Sequence, residues 1–114
     1  MGRTFKKRFI ELPDVERFMQ EQTQSIIDEY ILIREELQIK GMLSMPKAEK
    51  LRGKNLFAMR ILQAGNVRVF YAYGINNIIW GLHAYTKKTM QIPKHELKHA
   101  VKILNALTQK GLIP

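Results

Sequence analysis

Apolar residues recur at helical spacing through the first third of the chain, which predicts helix there. The predicted stripe consists of Val15, Phe18, Met19, Gln22, Ile26, Tyr30, Ile33 and Leu37. Thr23 or Ser25 could act as an N-cap and divide this stretch into two helices, and Gly41 is expected to end it. A short strand at residues 4–12 precedes the helices and is ended by a proline.

The central part of the chain shows the shorter apolar spacing of β-strands. Strands are predicted at residues 56–63, 67–73 and 77–85, separated by turn signals at residues 65–66 and 74–76. Pro93 suits the first position of a final helix, whose apolar face is formed by Leu97, Ala100, Val101, Leu104 and Leu107. Residues 42–55 are predicted to form a loop or short turn, so the predicted element order is β-α-α-β-β-β-α.

Strand parity divides the predicted sheet into an apolar face and a mixed face. The apolar face is expected to contain Leu56, Ala58, Leu62, Val67, Val69, Tyr71, Ile78, Trp80 and Leu82. The mixed face would place Arg68 near His83, together with Met59, Ile61, Gln63, Phe70, Ile79, Gly81 and Tyr85. Arg60 falls on the apolar face, so either a bulge at Gly65 shifts the register or Arg60 reaches past the sheet edge to a carboxylate.

The composition is that of one globular domain, residues 1–114, with ordinary apolar content. The chain has no cysteine, which excludes disulfides and thiolate metal sites. No apolar run approaches the roughly 20 residues needed to span a bilayer. The basic N-terminus also lacks the apolar stretch of a signal peptide. We therefore expect a cytoplasmic protein that does not bind membranes.

Charge is distributed unevenly along the chain, whose formal net charge is +9. Residues 1–36 contain six Lys or Arg and eight Asp or Glu. Residues 37–114 contain thirteen Lys or Arg against only Glu49 and Glu96. A surface kept basic for solubility alone would explain an excess of lysine, but its concentration in one part of the chain favours a polyanionic partner.

Residues 95–99, HELKH, spell the H-E-x-x-H pattern of zinc peptidases, in which two histidines one helical turn apart bind the metal. A catalytic zinc also needs a third protein ligand, and no His, Asp or Glu follows His99. Only His83 or an N-terminal carboxylate could complete the site, and neighbouring lysines oppose binding of a dication. We therefore predict no metal and no other cofactor, and interpret His95 and His99 as solvent-facing residues of a basic helix.

A second group of residues suits cleavage of an RNA phosphodiester by its own 2′-hydroxyl. Such a site needs proton-transfer groups, and cations that stabilise charge on the pentacoordinate phosphorus. Arg68 with Lys87 or Lys88 could supply the cations, and His83 could transfer a proton near neutral pH. Tyr85 could stack on a base or donate a proton. Contacts with the RNA backbone are expected from the basic loop residues Lys50, Arg52 and Lys54.

Each of these residues also has an ordinary structural interpretation. His83 could be a hydrogen-bonded histidine at a strand end, and Lys87 and Lys88 could form a basic turn of the kind found in many proteins. The prediction of a nucleic-acid site therefore depends on the convergence of these residues on one part of the sheet.

The chain resembles the RelE/ParE toxin superfamily in three segments, LRGKNLFAMRI, VRVFYAY and GLHAYTKKTMQIPKHELKHA. The resemblance is to the HigB-like, phage-related branch of type II toxin–antitoxin systems and covers residues 51–107. It implies an α+β fold, in which N-terminal helices and a C-terminal helix pack on a small, mainly antiparallel sheet of about four strands. It also implies that the segment after Pro93 is a structural helix and not a metal site.

The resemblance further implies an endoribonuclease that cleaves mRNA without metal, often on the ribosome. A cognate antitoxin, expected to be a small helix-turn-helix protein, would neutralise it. By motif, Arg68 matches the active-site arginine, Lys87 or Lys88 the basic residue after the last strand, and Arg60 the arginine of the preceding strand. Because branches that inhibit gyrase share this fold, two alternatives stay open. The chain could be a non-catalytic toxin that binds gyrase or another protein, or a phage-derived RNA-binding protein without activity.

Overall fold

The computed structural model describes residues 4–51 and 53–114, and three helices and five strands occur among them. In chain order the elements are β1 (Arg8–Glu11), α1 (Pro13–Gln20), α2 (Gln24–Lys40), β2 (Ala48–Lys50), β3 (Phe57–Ile61), β4 (Val67–Tyr73), β5 (Ile78–Thr86) and α3 (Lys94–Gln109). The predicted α+β class is confirmed, and each predicted strand and helix is present. Arg52, one of the expected RNA-binding residues, lies outside the described residues.

The five strands form one mixed sheet in the order β1-β5-β4-β3-β2. β1 runs parallel to β5, and the other neighbouring strands are antiparallel. The prediction of about four strands missed β2, an edge strand within the segment predicted to be a loop. This three-residue strand is too short to show an alternating apolar pattern, so its pairing with β3 defines it.

Helices cover both faces of the sheet. On one face, α1 and α2 bury a cluster that includes Tyr30, Leu37 and Tyr71, and we call this the α2 face. On the other, α3 packs Ala100 and Leu104 into a cluster with Phe70, and we call this the α3 face. Complete burial of such large apolar side chains stabilises the fold by roughly 1.5–3 kcal/mol each.

The boundaries of α2 occur where the sequence predicts them. The Oγ1 of Thr23 accepts a hydrogen bond from the backbone N–H of Ile26 at 3.3 Å, which caps the first turn. Gly41 ends the helix with a φ of 80°, a conformation that favours glycine. Among the helices that the structure describes, none is both long and apolar enough to cross a bilayer.

A five-residue connection between β3 and β4 makes part of the predicted strand parity wrong. Ile61 pairs directly with Val67 across this connection, so the two side chains share the α2 face. Glu29 of α2 holds the loop, because its carboxylate accepts hydrogen bonds of 2.7–3.2 Å from the backbone N–H groups of Leu62, Gln63 and Ala64. Arg60 therefore lies on the α3 face directly opposite Arg68, and neither predicted explanation for its position applies.

A bulge in β5 brings His83 to the α3 face. Phe70 pairs with His83 whereas Tyr71 pairs with Gly81, so Leu82 is an extra residue in the strand. Strict alternation would have turned His83 towards the α2 face, because Leu82 already belongs to the α3 cluster. His83 and Arg68 therefore lie on the same face, as predicted. The reason is the bulge at Leu82, which the sequence pattern did not predict.

Candidate functional site

Three polar side chains form a row across the three inner strands, one residue from the end of their pairing. Arg60 of β3 is the direct cross-strand partner of Arg68 of β4, which is in turn the partner of Tyr85 of β5. All three lie on the α3 face, because their strand neighbours Ile61, Val67, Val69 and Ala84 belong to the opposite cluster. We call this set the arginine row.

Arg68 is the most buried charged residue among those the structure describes, with only 3% of its surface exposed. Its Nη1 donates to the Oδ1 of Asn66 at 2.9 Å and to the carbonyl of Val67 at 3.3 Å, while its Nε is buried without a hydrogen-bond partner. Burial, followed by the adjacent charge of Arg60, lowers the pKa of Arg68. The guanidinium nevertheless stays cationic, because arginine starts from so high a pKa.

Arg60 adds a second cation directly opposite Arg68, and the carboxylate of Glu49 acts on the pKa of Arg68 in the opposite direction but more weakly than Arg60 does. The Nε of Arg60 is also buried and unpartnered, and neither Arg60 nor Arg68 forms an ion pair within the described part of the chain. Like charges on directly opposite residues of antiparallel strands are destabilising. The arginine row is therefore a place where an anion would relieve an electrostatic cost.

Tyr85 completes the row with a neutral hydroxyl. Burial raises the pKa of Tyr85 to about 12, so the phenol stays protonated at neutral pH. Its hydroxyl is buried without a partner, and its ring stacks on Phe70 with a centroid distance of 5.6 Å. Because only 4% of Tyr85 is exposed, the ring offers no open face to a nucleobase, which does not fit the predicted stacking on a base.

Asn66 connects the arginine row to the basic turn after β5. Its side-chain Nδ2 donates to the carbonyl of Lys87 at 2.7 Å, and its own carbonyl accepts from the Lys87 N–H at 2.7 Å. Because its Oδ1 also accepts from Arg68, Asn66 links the Arg68 guanidinium to the backbone of Lys87. Lys87 is half-buried and Lys88 is exposed. Sequence reasoning used Asn66 only as a turn signal and missed this second role.

The other predicted RNA-binding residues do not join the arginine row. Lys50 is the cross-strand partner of Phe57 on the α2 face, where its Nζ lies 5.9 Å from the centre of the Phe57 ring. Lys54 is exposed in the connection that leads to β3. In β2, Glu49 faces the same side of the sheet as the arginine row, the α3 face, because it is the cross-strand partner of Ala58.

His83 lies beside the arginine row but makes its contacts in a different direction. Its ring stacks parallel to Phe70 at 6.4 Å and next to Tyr85 at 6.5 Å. Its Nε2 is 2.8 Å from the Oε1 of Glu96 in the first turn of α3, and its Nδ1 is buried without a partner. A carboxylate on one imidazole nitrogen sets the tautomer and orientation of the ring. His83 and Glu96 therefore form an oriented pair.

His99 and Asp14 extend this pair into a cluster. The His99 ring lies edge-on to His83 with centroids 4.5 Å apart, and its Nε2 is 3.1 Å from the Oδ2 of Asp14 in α1. Hydrogen bonding by His99 is the main cause that lowers the pKa of Asp14, which keeps it an anion. One nitrogen or oxygen from each of Asp14, His83 and His99 lies within 4.8 Å of the other two.

His95, the first histidine of the H-E-x-x-H pattern, is outside this cluster. Its side chain is 80% exposed, and its Nε2 comes only within 3.9 Å of Glu96. His99 is half-exposed and pairs with Asp14, so the prediction that both histidines simply face solvent fits His95 better than His99. Neither Asp14 nor Glu96 was predicted as a site residue, because no local pattern connects them to His83.

Comparison with known proteins gives one family. The family model for phage-derived Gp49-like proteins (DUF891) matches residues 17–105, which is most of the chain. The matched region contains the whole arginine row, Asn66, Lys87 and the His83–Glu96 pair, but not Asp14. No curated protein matches the chain significantly.

Proposed function

This chain belongs to the Gp49-like family of phage-derived proteins, and we propose that it is a toxin that cleaves mRNA. The family is associated with RelE- and HigB-like toxins. The proposed activity is that of a metal-independent endoribonuclease that cuts mRNA during translation and is neutralised by a cognate antitoxin. Arg60, Arg68, His83 and Lys87 or Lys88 are the proposed catalytic residues.

The observation that carries this proposal is the arginine row. Two guanidiniums lie on directly opposite strand residues, the Nε of each has no acceptor, and the neighbouring Tyr85 hydroxyl also lacks a partner. Arginine matches the oxygens of a phosphodiester through its planar array of N–H donors. A phosphate group bound next to the two guanidiniums would offset the repulsion between the two cations. The formal net charge of +9, which residues 37–114 supply, would favour the approach of RNA.

The proposed reaction uses the RNA as its own nucleophile. The 2′-oxygen forms a bond to phosphorus while the bond from phosphorus to the 5′-oxygen breaks, which leaves a 2′,3′-cyclic phosphate and a 5′-hydroxyl. Arg60 and Arg68 would stabilise the additional charge on the phosphoryl oxygens. His83, oriented by Glu96, would accept the proton of the 2′-hydroxyl. The departing 5′-oxygen would take a proton from solvent or from a lysine after β5.

A second candidate function is RNA binding without cleavage. Two observations favour it: His83 is already hydrogen-bonded to Glu96, and the Nδ1 of the same ring is buried. RNA would have to approach this nitrogen between packed rings for proton transfer to occur. Binding to the arginine row needs no such access, because the exposed Asn66 lies at the Nη1 end of Arg68.

The proposed activity is tested by cleavage of mRNA in a reconstituted translation reaction. Wild-type protein should cut mRNA. The protein alone is also treated with EDTA to remove divalent metals and then dialysed before the assay, and this treatment should not reduce the cleavage rate. Lys87→Ala/Lys88→Ala should lower the cleavage rate about tenfold, because two cations next to Arg68 are lost. Both lysines lie outside the core, so the variant should fold normally.

The matched control is Lys6→Ala/Lys7→Ala, which removes the same charge at the opposite end of β5, where β1 begins its pairing with Ile78. This control should retain at least half of the wild-type rate. RNA binding without product would select the second candidate, and inhibition of gyrase without RNA cleavage would select a non-catalytic toxin. Equal rates in both double variants would contradict the assigned position of the site.

Arg60→Met is expected to stabilise the fold while weakening RNA binding. The substitution keeps the length of the side chain but removes a cation opposite Arg68 and a buried unpartnered Nε. We expect the free energy of unfolding to rise by about 1–2 kcal/mol, measured by urea denaturation. As a control, Arg34→Met breaks the 3.4 Å ion pair with Glu11 and should not stabilise the protein. A loss of stability in Arg60→Met would mean that Arg60 has a stabilising partner.

A further inference from the structure

We propose that Asp14, His83 and His99 form a binding site for a zinc ion. The three residues come from α1, β5 and α3, so the site joins two helices to an inner strand of the sheet. Two imidazoles and a carboxylate are ligands that zinc prefers, whereas magnesium and calcium bind oxygen ligands and rarely imidazole. The proposal does not depend on RNA cleavage.

The distances are compatible with one ion. In tetrahedral zinc sites with ligand distances of about 2.0–2.1 Å, neighbouring ligand atoms lie about 3.3 Å apart. The Nε2 of His99 is 3.1 Å from the Oδ2 of Asp14, and the ligand atoms of all three residues lie within 4.8 Å of one another. Small side-chain rotations would therefore bring the three atoms to coordination distance. The second Asp14 oxygen already contacts Arg17 at 2.5 Å, which restricts the carboxylate.

Glu96 provides a second, independent indication. Histidine ligands of metals commonly donate their other ring nitrogen to a carboxylate, which fixes the ring and raises its basicity. The Nε2 of His83 is 2.8 Å from the Oε1 of Glu96, while the Nδ1 of the same ring is buried and has no partner. His83 thus combines an oriented ring with a nitrogen whose hydrogen-bonding capacity is unused.

The local charge also permits a dication. Asp14 and Glu96 together carry two negative charges in direct contact with the histidines, and they would balance the charge of one zinc ion. Lys94, Lys98 and Lys102 of α3 are exposed to solvent, where screening weakens their repulsion. In the HELKH pattern alone, neighbouring lysines would oppose binding of a dication. In the cluster, the two carboxylates offset this repulsion.

The proposed site differs from that of a zinc peptidase. A peptidase site would use both His95 and His99 with Glu96 as a base, whereas this cluster replaces His95 with His83 and places Glu96 behind a ligand. Zinc in this position would cross-link α1, β5 and α3 and would hold His83 away from proton transfer. Its expected effect is thus on stability, and it would supply no step of the proposed cleavage.

The test measures zinc binding to the full-length protein after EDTA treatment and dialysis. Titration calorimetry should detect one zinc ion per chain, and saturating zinc should raise the melting temperature by roughly 5 °C. Magnesium at the same concentration should have no effect. Cobalt(II) should give the intense visible absorption of a tetrahedral site. Because no RNA is present, these readouts are separate from any failure of the proposed cleavage.

Variants decide which residues bind the ion. His99→Gln and Asp14→Asn should each weaken zinc binding at least tenfold, whereas the control His95→Gln should bind as wild type does. His99 and Asp14 are partly exposed, so both variants should fold, and circular dichroism verifies this. A loss of binding in His95→Gln equal to that in His99→Gln would overturn the proposal in favour of a surface pair on α3. Absence of a zinc-specific shift would also overturn it.

Discussion

Arg68→Met should abolish most of the mRNA cleavage that we propose, with a rate reduction of about 10²–10³-fold. Losses of this size follow removal of one preorganised donor that stabilises charge in a transition state. Methionine has a similar length to arginine and no charge, so it fills the same buried space beside Phe70 and Tyr85. The variant removes the guanidinium without leaving a large cavity.

Loss of folding would not explain this reduction. Arg68 is 3% exposed, has a buried unpartnered Nε and lies directly opposite Arg60, so its charge costs stability in the absence of a ligand. We therefore expect Arg68→Met to melt at or above the wild-type temperature. Arg8→Met is the matched control, because Arg8 is an exposed arginine in β1, at the far end of β5. A cleavage rate of Arg68→Met equal to that of the wild-type protein would show that the arginine row takes no part in catalysis.

Phe70→Ala should lower the free energy of unfolding by about 3–5 kcal/mol, the usual cost of truncating a large buried aromatic side chain. Phe70 is fully buried in the α3 cluster, and both His83 and Tyr85 stack on its ring. Its removal would leave a cavity under both candidate functional groups. Urea denaturation monitored by circular dichroism measures the change.

Phe5→Ala is the matched control for this prediction. Phe5 is 48% exposed, so the same truncation there should change the free energy of unfolding by less than about 0.5 kcal/mol. If Phe70→Ala cost less than about 1 kcal/mol, the α3 cluster would be loosely packed. The positions assigned to His83 and Tyr85 would then lack the rigid support that the proposed chemistry requires.

Local patterns in the sequence were sufficient for most of the elements. The break predicted near Thr23 or Ser25 occurs at Thr23, and the predicted stop at Gly41 and the three central strands also reappear in the structure. Capping and apolar periodicity act within a few residues, so the sequence was enough to predict them. The uneven charge and the motif around Arg68 could likewise be read directly from the chain. These features need no knowledge of which strands are neighbours.

Features that depend on register were not predictable in the same way. The side on which Arg60 lies depends on the length of the loop held by Glu29, and the side on which His83 lies depends on the bulge at Leu82. A shift of one residue reverses the face of every later side chain in a strand. β2 was missed because its three residues are too few to show an alternating apolar pattern, so only its pairing with β3 defines it.

The sequence by itself determined the order of the elements other than β2, the basic character of residues 37–114 and the presence of a H-E-x-x-H pattern. The tertiary structure alone decided which histidines meet, because Asp14 and His99 are 85 residues apart in the chain and touch only when α1 and α3 pack beside β5. It also placed two arginines side by side. Spacing along a chain describes local geometry, whereas contacts between distant residues follow from packing and register.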